Sequence, residues 1–323
     1  SVEEVSDLVK GLLAKGILAC LAGSSDNGKS ALARQLCACV VTGKDFLSWK
    51  VTPTYHRAVY ISTEDDKRAL KKNFISLQNN ELQLNKEELG RIRFIVETDN
   101  ILAHLDELLS KESADIVILD TFTDVFFGEL YQANKVREFF IGYHKLCLKY
   151  GCSILIITHT NKRSEDLRPD KNNITGSQAI EAKMRLVCEL RTNKGNLNKK
   201  YLCILKANYL EPNDKQYAYD LSFNGNLIFT ATGTRTPFER INFSENNFDE
   251  QERDYNDIMQ MREQGMKWRE IANKYSMSET AIRLKINRYE KRLKELERQE
   301  KELNSKIKEK NITDNSNNNN PKL

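Results

Sequence analysis

No apolar run in this 323-residue chain approaches the roughly 20 residues that cross a bilayer as a helix. That excludes an ordinary helical membrane protein, and no signal-like segment opens the sequence, which starts at Ser1. The formal net charge is only +4, so the overall balance points to no acidic or basic partner. Paired cysteines are missing too. Cys20, Cys37, Cys39, Cys147, Cys152, Cys188 and Cys203 are odd in number, and none makes the two-residue gaps of a zinc site. All seven lie in apolar segments, as expected of small core residues in a reducing cytosol. What remains is a chain 40% hydrophobic, long enough for one large domain or two ordinary ones.

Residues 2–15 carry Val2, Val5, Leu8, Val9, Leu12 and Leu13 at helical spacing. Short apolar runs follow at 17–22, 58–62, 92–96, 116–120 and 153–158. They lack alternation, as strands buried on both faces of a parallel sheet do. Helical patterns fill the gaps at 30–41, 66–78, 100–111 and 134–150, so the expected class is α/β with a mostly parallel sheet flanked by helices. After Gly176 the pattern changes: residues 184–191, 199–207, 217–223 and 226–231 read as antiparallel strands joined by tight turns. Residues 232–250 are polar and read as a linker, 251–310 as a small all-α region, and 311–323 as a disordered low-complexity tail.

The pattern G-x-x-x-x-G-K-[ST] is complete over Gly23, Ser24, Ser25, Asp26, Asn27, Gly28, Lys29 and Ser30, between a strand and a helix. Glycines let successive backbone N–H groups point at one anion. The following helix, with Ala31 in its first turn, turns its unpaired N–H groups to the same phosphates. Lys29 supplies a charge to the β/γ-phosphates, and the Ser30 hydroxyl is placed to bind Mg²⁺. Asp120 ends the buried run "DIVILD", where a carboxylate suits the same Mg²⁺, directly or through water. ATP and Mg²⁺ are the expected ligands.

The segments "AVYISTEDD", "SILIITHTNK", "GSQAIEAKMRLVCEL" and "YLCILKAN" follow that loop in order. Together they resemble the RecA-fold ATPases of the RepA type, the hexameric plasmid helicases, and more distantly the DnaB and KaiC families. The resemblance covers about residues 15–230, which makes 1–231 the expected ATPase domain. It implies that Glu64 activates the attacking water, with Asp65 as fallback, although "EDD" also reads as an acidic helix start. It makes His159, at the sheet edge where α/β ligands bind, a γ-phosphate sensor. It casts Arg185, with Lys206 as a second candidate, as a finger reaching the neighbouring subunit's nucleotide; both also read as plain surface charges.

A ring of this kind would touch single-stranded DNA through two loops. One follows Asp120 and holds Phe126 and Phe127, of which one would point outward unless both are core. The other, "NKRSEDLRPDKNNITGS", carries Lys162, Arg163, Arg168 and Lys171. Further on, "KWREIANKYSMSETAIRLKINR" resembles the helix-turn-helix of small DNA-binding regulators. Ser278 is its N-cap, and Thr280, Arg283 and Lys285 are among the exposed candidates for duplex contact. Residues 267–292 hold eight Lys/Arg against three Asp/Glu, a basic face suited to phosphates, or else a mixed-charge oligomerisation tail. Ile286, Tyr289, Leu293, Leu296, Leu303 and Ile307 keep 3/4 spacing and suggest a short coiled coil. The expected function is an ATP-dependent, ring-forming DNA helicase or translocase in replication of a plasmid or mobile element. The alternative is an ATP-switched DNA-binding regulator; a small-molecule kinase is disfavoured by the antiparallel strands after Gly176.

Overall fold

A computed structural model describes residues 6–77, 82–96, 99–130, 132–161, 164–175, 180, 182–208, 210, 212–224, 227–241, 245–275, 277–291, 293–294 and 298. The expected coiled coil beyond Leu293 and the tail at 311–323 lie outside the described residues, as do Lys162, Arg163 and residues 176–179.

In chain order the first part of the fold is β1 (Asp7–Val9), β2 (Leu13–Ala14), β3 (Leu18–Gly23), α1 (Lys29–Thr42), β4 (Ala58–Ser62), α2 (Lys67–Ser76) and α3 (Lys86–Gly90). Then come β5 (Ile92–Ile95), α4 (Ile101–Lys111), β6 (Ile116–Asp120), α5 (Phe122–Val125), α6 (Ala133–Tyr150) and β7 (Ser153–His159). The chain continues through β8 (Leu186–Thr192), β9 (Lys199–Ala207), β10 (Tyr217–Phe223), β11 (Phe229–Pro237) and α7 (Phe238–Ile241). Nine strands form one sheet in the order β11-β10-β9-β8-β3-β7-β6-β4-β5. From β8 through β5 neighbours run parallel, and β9, β10 and β11 extend the β8 edge antiparallel, as the change of pattern after Gly176 leads one to expect.

The central strands carry no polar face because both faces are covered. Along β3, Ala19 and Leu21 join one core with α1, while Leu18, Cys20 and Ala22 join the other with α4 and α6. β6 and β7 divide the same way, with Ile118 and Ile157 on the first face and Leu119 and Ile156 on the second. Period-two side chains on a two-faced sheet therefore read as continuous apolar runs. All seven cysteines are buried and free of disulfides, six of them in these two cores.

Two segments differ from expectation. Residues 2–15 carry helical spacing, yet Asp7–Ala14 forms the β1–β2 hairpin. Gly11 turns the chain at φ +72°, its N–H donates to the Asp7 carboxylate at 2.8 Å, and Leu8, Val9 and Leu13 are buried. A short segment with one glycine at positive φ and a carboxylate in reach closes a turn more readily than it starts a helix. The polar stretch expected as a linker begins inside the sheet. β11 runs to Pro237 because Thr232 donates to the Asp220 carbonyl, while Thr234 and Thr236 donate to its carboxylate. Phe238 and Ile241 of α7 then pack with Tyr201, Cys203 and Ala218.

The chain separates into two units, Ser1–Ser244 and Glu245–Leu323. The second holds α8 (Glu245–Glu263), α9 (Trp268–Lys274) and a helix over 279–291, here α10. Their core is Ile258, Ile271, Ala272, Ile282 and Ile286. Ser278 caps α10, its hydroxyl accepting from Ala281 N at 3.1 Å. Arg262 and Arg283 lie over the Trp268 ring at 4.6 and 5.0 Å. No helix among the described residues is long and apolar enough to cross a membrane.

Candidate active site

Parallel register carries the ends of several strands to one edge of the sheet. Gly23 pairs with His159, Ala22 with Glu189, and Ser62 with Asp120, so the segments that follow β3, β4, β6 and β7 converge there. The loop after β3 needs its glycines. A Cβ on Gly23 would stand 2.6 Å from the Leu190 carbonyl oxygen; Gly28 has φ +90°, and a Cβ there would meet the Phe229 ring at 2.9 Å. Asn27 pins the loop to β8: its Nδ2 donates to the Leu190 carbonyl at 3.0 Å, and Thr192 donates to its Oδ1 at 2.7 Å. Lys29, buried at the first turn of α1, donates to the Ser24 carbonyl at 2.7 Å. Burial lowers its pKa, while Asp120, Glu64 and Asp26 pull the other way.

Asp120 ends β6 against this lysine. Tyr60 donates to its Oδ2 at 2.5 Å, and its Oδ1 is buried with no hydrogen-bond partner among the described residues. Of the three acids after β4, Asp66 caps α2 by accepting from Arg68 N and Ala69 N. Asp65 accepts from Asn73 and lies 3.9 Å from Arg34. Glu64 is exposed and, among the described residues, has no hydrogen-bond or ion-pair partner. Burial, Asp120 and Asp124 raise its pKa, opposed by Lys29. His159 ends β7; burial first, then Lys29, lowers its pKa, against Asp124 and Asp120. The sheet thus brings Lys29, Glu64, Asp120 and His159 into one electrostatic cluster at the phosphate loop.

Other expected residues are placed elsewhere. Arg185 N donates to the Leu18 carbonyl at the opposite edge of the sheet, roughly 16 Å of strand from the loop of its own chain, and Lys206 pairs with Val187, level with Cys20 and roughly 10 Å of strand from it. Arg168 is ion-paired with Glu239 at 3.0 Å, and Lys171 opens a 3₁₀ turn, Lys171–Asn173. The segment expected as a long unstructured loop therefore has local structure where it is described: Ser164–Asp166 is a second 3₁₀ turn, and Asn173 donates to the Arg168 carbonyl. Phe126 stacks on Phe122 and meets Phe139 edge-on, whereas Phe127 is 88% exposed. In the second unit Arg283 is paired with Glu279 and Lys285 with Asp254, while Thr280 is exposed.

Sequence reasoning missed three partners. Tyr60 lies on the strand next to Asp120, and no spacing announces that contact. Asp124 takes hydrogen bonds from Thr63 and Thr121, tying the segments after β4 and β6 together. The third is a wall of Glu189, Arg191 and Lys200 on a cavity of about 650 Å³ that opens on Ser24–Asn27.

A family model described as an AAA domain matches residues 1–165. The chain belongs to this AAA domain family. Two solved structures share its fold. One, described as an ATPase domain, is 13% identical with a TM-score of 0.54, covering 72% of this chain and 93% of that one. The KaiC-like protein PH0186 from the hyperthermophilic archaeon Pyrococcus horikoshii OT3 is 16% identical with a TM-score of 0.50, covering 71% and 98%. No curated protein matches the chain. The first unit is thus a P-loop AAA domain of RecA-like fold, and its family supports ATP hydrolysis.

The AAA domain's residues fit Mg²⁺. A buried carboxylate oxygen with no partner, Asp120 Oδ1, is a hard ligand beside the loop that carries the Ser30 hydroxyl. Asp120 and the Ser30 hydroxyl are the residues that would hold it, together with the phosphates of a nucleotide. When bound, that ion neutralises charge developing on the transferred phosphoryl group. The same edge holds the buried Lys29 ammonium, the Glu64 carboxylate with its raised pKa, and the His159 imidazole.

Proposed function

We propose that this AAA domain protein is an ATP-driven motor of the ring-helicase kind that moves on single-stranded DNA, acting in the replication of a plasmid or other mobile element. Lys29 and the loop residues 23–31 bind the phosphates, Ser30 and Asp120 hold Mg²⁺, Glu64 activates water and His159 senses the γ-phosphate. The observation that carries the reading is the segment after Asp120. Phe126 is half-buried and packs against the core, and Phe127 stands almost fully exposed seven residues beyond the candidate metal ligand. An aromatic side chain so placed can stack on a base and answer to the nucleotide through β6.

Arg185, exposed and remote from its own loop, suits a finger that acts only on a neighbouring subunit's nucleotide, in a ring that is hexameric by resemblance alone. Steady-state ATP hydrolysis across protein concentrations, with and without single-stranded DNA, tests both points. The rate per chain should rise with concentration and with DNA. Phe127→Ala should remove most of the DNA stimulation and leave the basal rate within about twofold. A rate indifferent to DNA and concentration would contradict the motor.

The second unit favours a second reading, a DNA-binding regulator switched by ATP. Its three short helices share one small apolar core, with a capped third helix bearing exposed Thr280. Sequence-specific binding of duplex, without unwinding of forked DNA, would select that reading.

A further inference from the structure

The wall of the cavity beside the phosphate loop carries charge that hydrolysis does not use. Glu189, Arg191 and Lys200 are 2%, 5% and 4% exposed. Glu189 and Arg191 neutralise each other, Nε to Oε1 at 2.7 Å. Lys200 has no such counterpart: among the described residues no carboxylate lies within ion-pair distance of it. Its Nζ donates to Thr192 Oγ1 at 2.8 Å and lies 5.1 Å from the centre of the Phe223 ring. Burial lowers its pKa. The remaining charged residues of this cavity, Asp26, Glu165 and Lys194, stand at its exposed rim.

A buried ammonium held by one hydroxyl and one aromatic face is costly unless an anion completes it. The cavity supplies room for that anion, and its position says which class. Ser24–Asn27 form part of its lining, and Lys200 is linked to Asn27 through Thr192 by two successive hydrogen bonds. The wall belongs to β8–β10, beyond the residues matched by the family model. We propose that Lys200 forms a second anion subsite that binds inorganic phosphate next to the phosphate loop. The subsite rests on the reading of residues 23–30 as an ATP site and deepens it: phosphate is the product released at that loop, and this cavity is a place for it to be held while the diphosphate still fills the loop.

Calorimetric titration of inorganic phosphate into the full chain saturated with ADP and Mg²⁺ tests this. Wild type should bind phosphate. Lys200→Met should weaken that binding at least tenfold while its affinity for ADP stays within about twofold. Lys200→Arg, which keeps the charge, should retain most of the phosphate affinity and guards against a variant that only misfolds. Equal phosphate binding by wild type and Lys200→Met, or none by wild type with ADP bound, would overturn the subsite and leave the nucleotide reading standing. Failure of wild type to bind ADP at all would overturn the nucleotide reading and the subsite with it.

Discussion

Asp115 and Asp120 flank the same strand, β6, and are buried alike, 4% and 6% exposed. Asp115, before the strand, is saturated: Thr54 N and Tyr55 N donate to Oδ1, Tyr55 N and Arg57 N to Oδ2, and the segment before β4 is folded around it. Asp120, at the other end, has one hydroxyl on one oxygen and nothing on the other. The contrast extends across the sheet. At the edge of Asp115, Ser153 donates to the Ala14 carbonyl, and Arg185 N continues the ladder to Leu18. At the edge of Asp120 stand buried side-chain oxygens that lack partners among the described residues: Asp120 Oδ1, Thr158 Oγ1 and Glu189 Oε2. Buried polar groups are ordinarily paired. One end of the sheet follows that rule and holds the fold; the other departs from it where a ligand would complete the pairing.

The comparison can be broken hardest at Lys29. Lys29→Ala removes the buried cation from the active edge and touches nothing at the other. ATP hydrolysis should fall by about a thousandfold, with the melting temperature changed by no more than about 2 °C; an active variant would separate the loop from the chemistry. Glu64→Gln should have the next largest effect, lowering kcat by about a hundredfold while ADP affinity is kept. Asp65→Asn, by contrast, should act mainly on folding through Arg34 and Asn73.

A smaller effect sharpens the same point in wild type. Burial, Asp120 and Asp124 raise the Glu64 pKa, and Glu64 acts as a base only when it has lost its proton. The rate should therefore fall on the acid side through a pKa above that of an ordinary glutamate, and this limb should vanish in the residual activity of Glu64→Gln. An unchanged limb in that variant would assign it to another group.

Much of this edge is legible in the sequence. Continuous apolar runs announce strands buried on two faces, and the glycine-lysine-serine spacing locates the phosphate loop between strand and helix. Asn-Gly turns mark the antiparallel extension. What escapes is set by partners distant in sequence. The polar run at 232–237 hides a strand because its threonines satisfy Asp220, a residue of β10. The hairpin at 7–14 imitates helical spacing because a tight turn also returns apolar residues to one side every few positions. Lys200 gives no signal, since only the sheet order places β9 within reach of the loop after β3. Arg185 is singled out by resemblance, and register places it at the edge away from its own nucleotide loop.

The most direct test of the central claim pairs Asp115→Asn with Asp120→Asn, each followed by thermal melting and by ATP hydrolysis. Asp115→Asn sets an amide N–H₂ against backbone donors and should cost about 3 kcal/mol, roughly 6–12 °C of melting temperature, with hydrolysis per folded molecule near wild type. Asp120→Asn keeps an acceptor for Tyr60 and should melt within about 2 °C of wild type while hydrolysis falls about a hundredfold. An Asp120→Asn protein that melts as low as Asp115→Asn, or one that still hydrolyses ATP at the wild-type rate, would contradict the division of this sheet into a holding edge and a working edge.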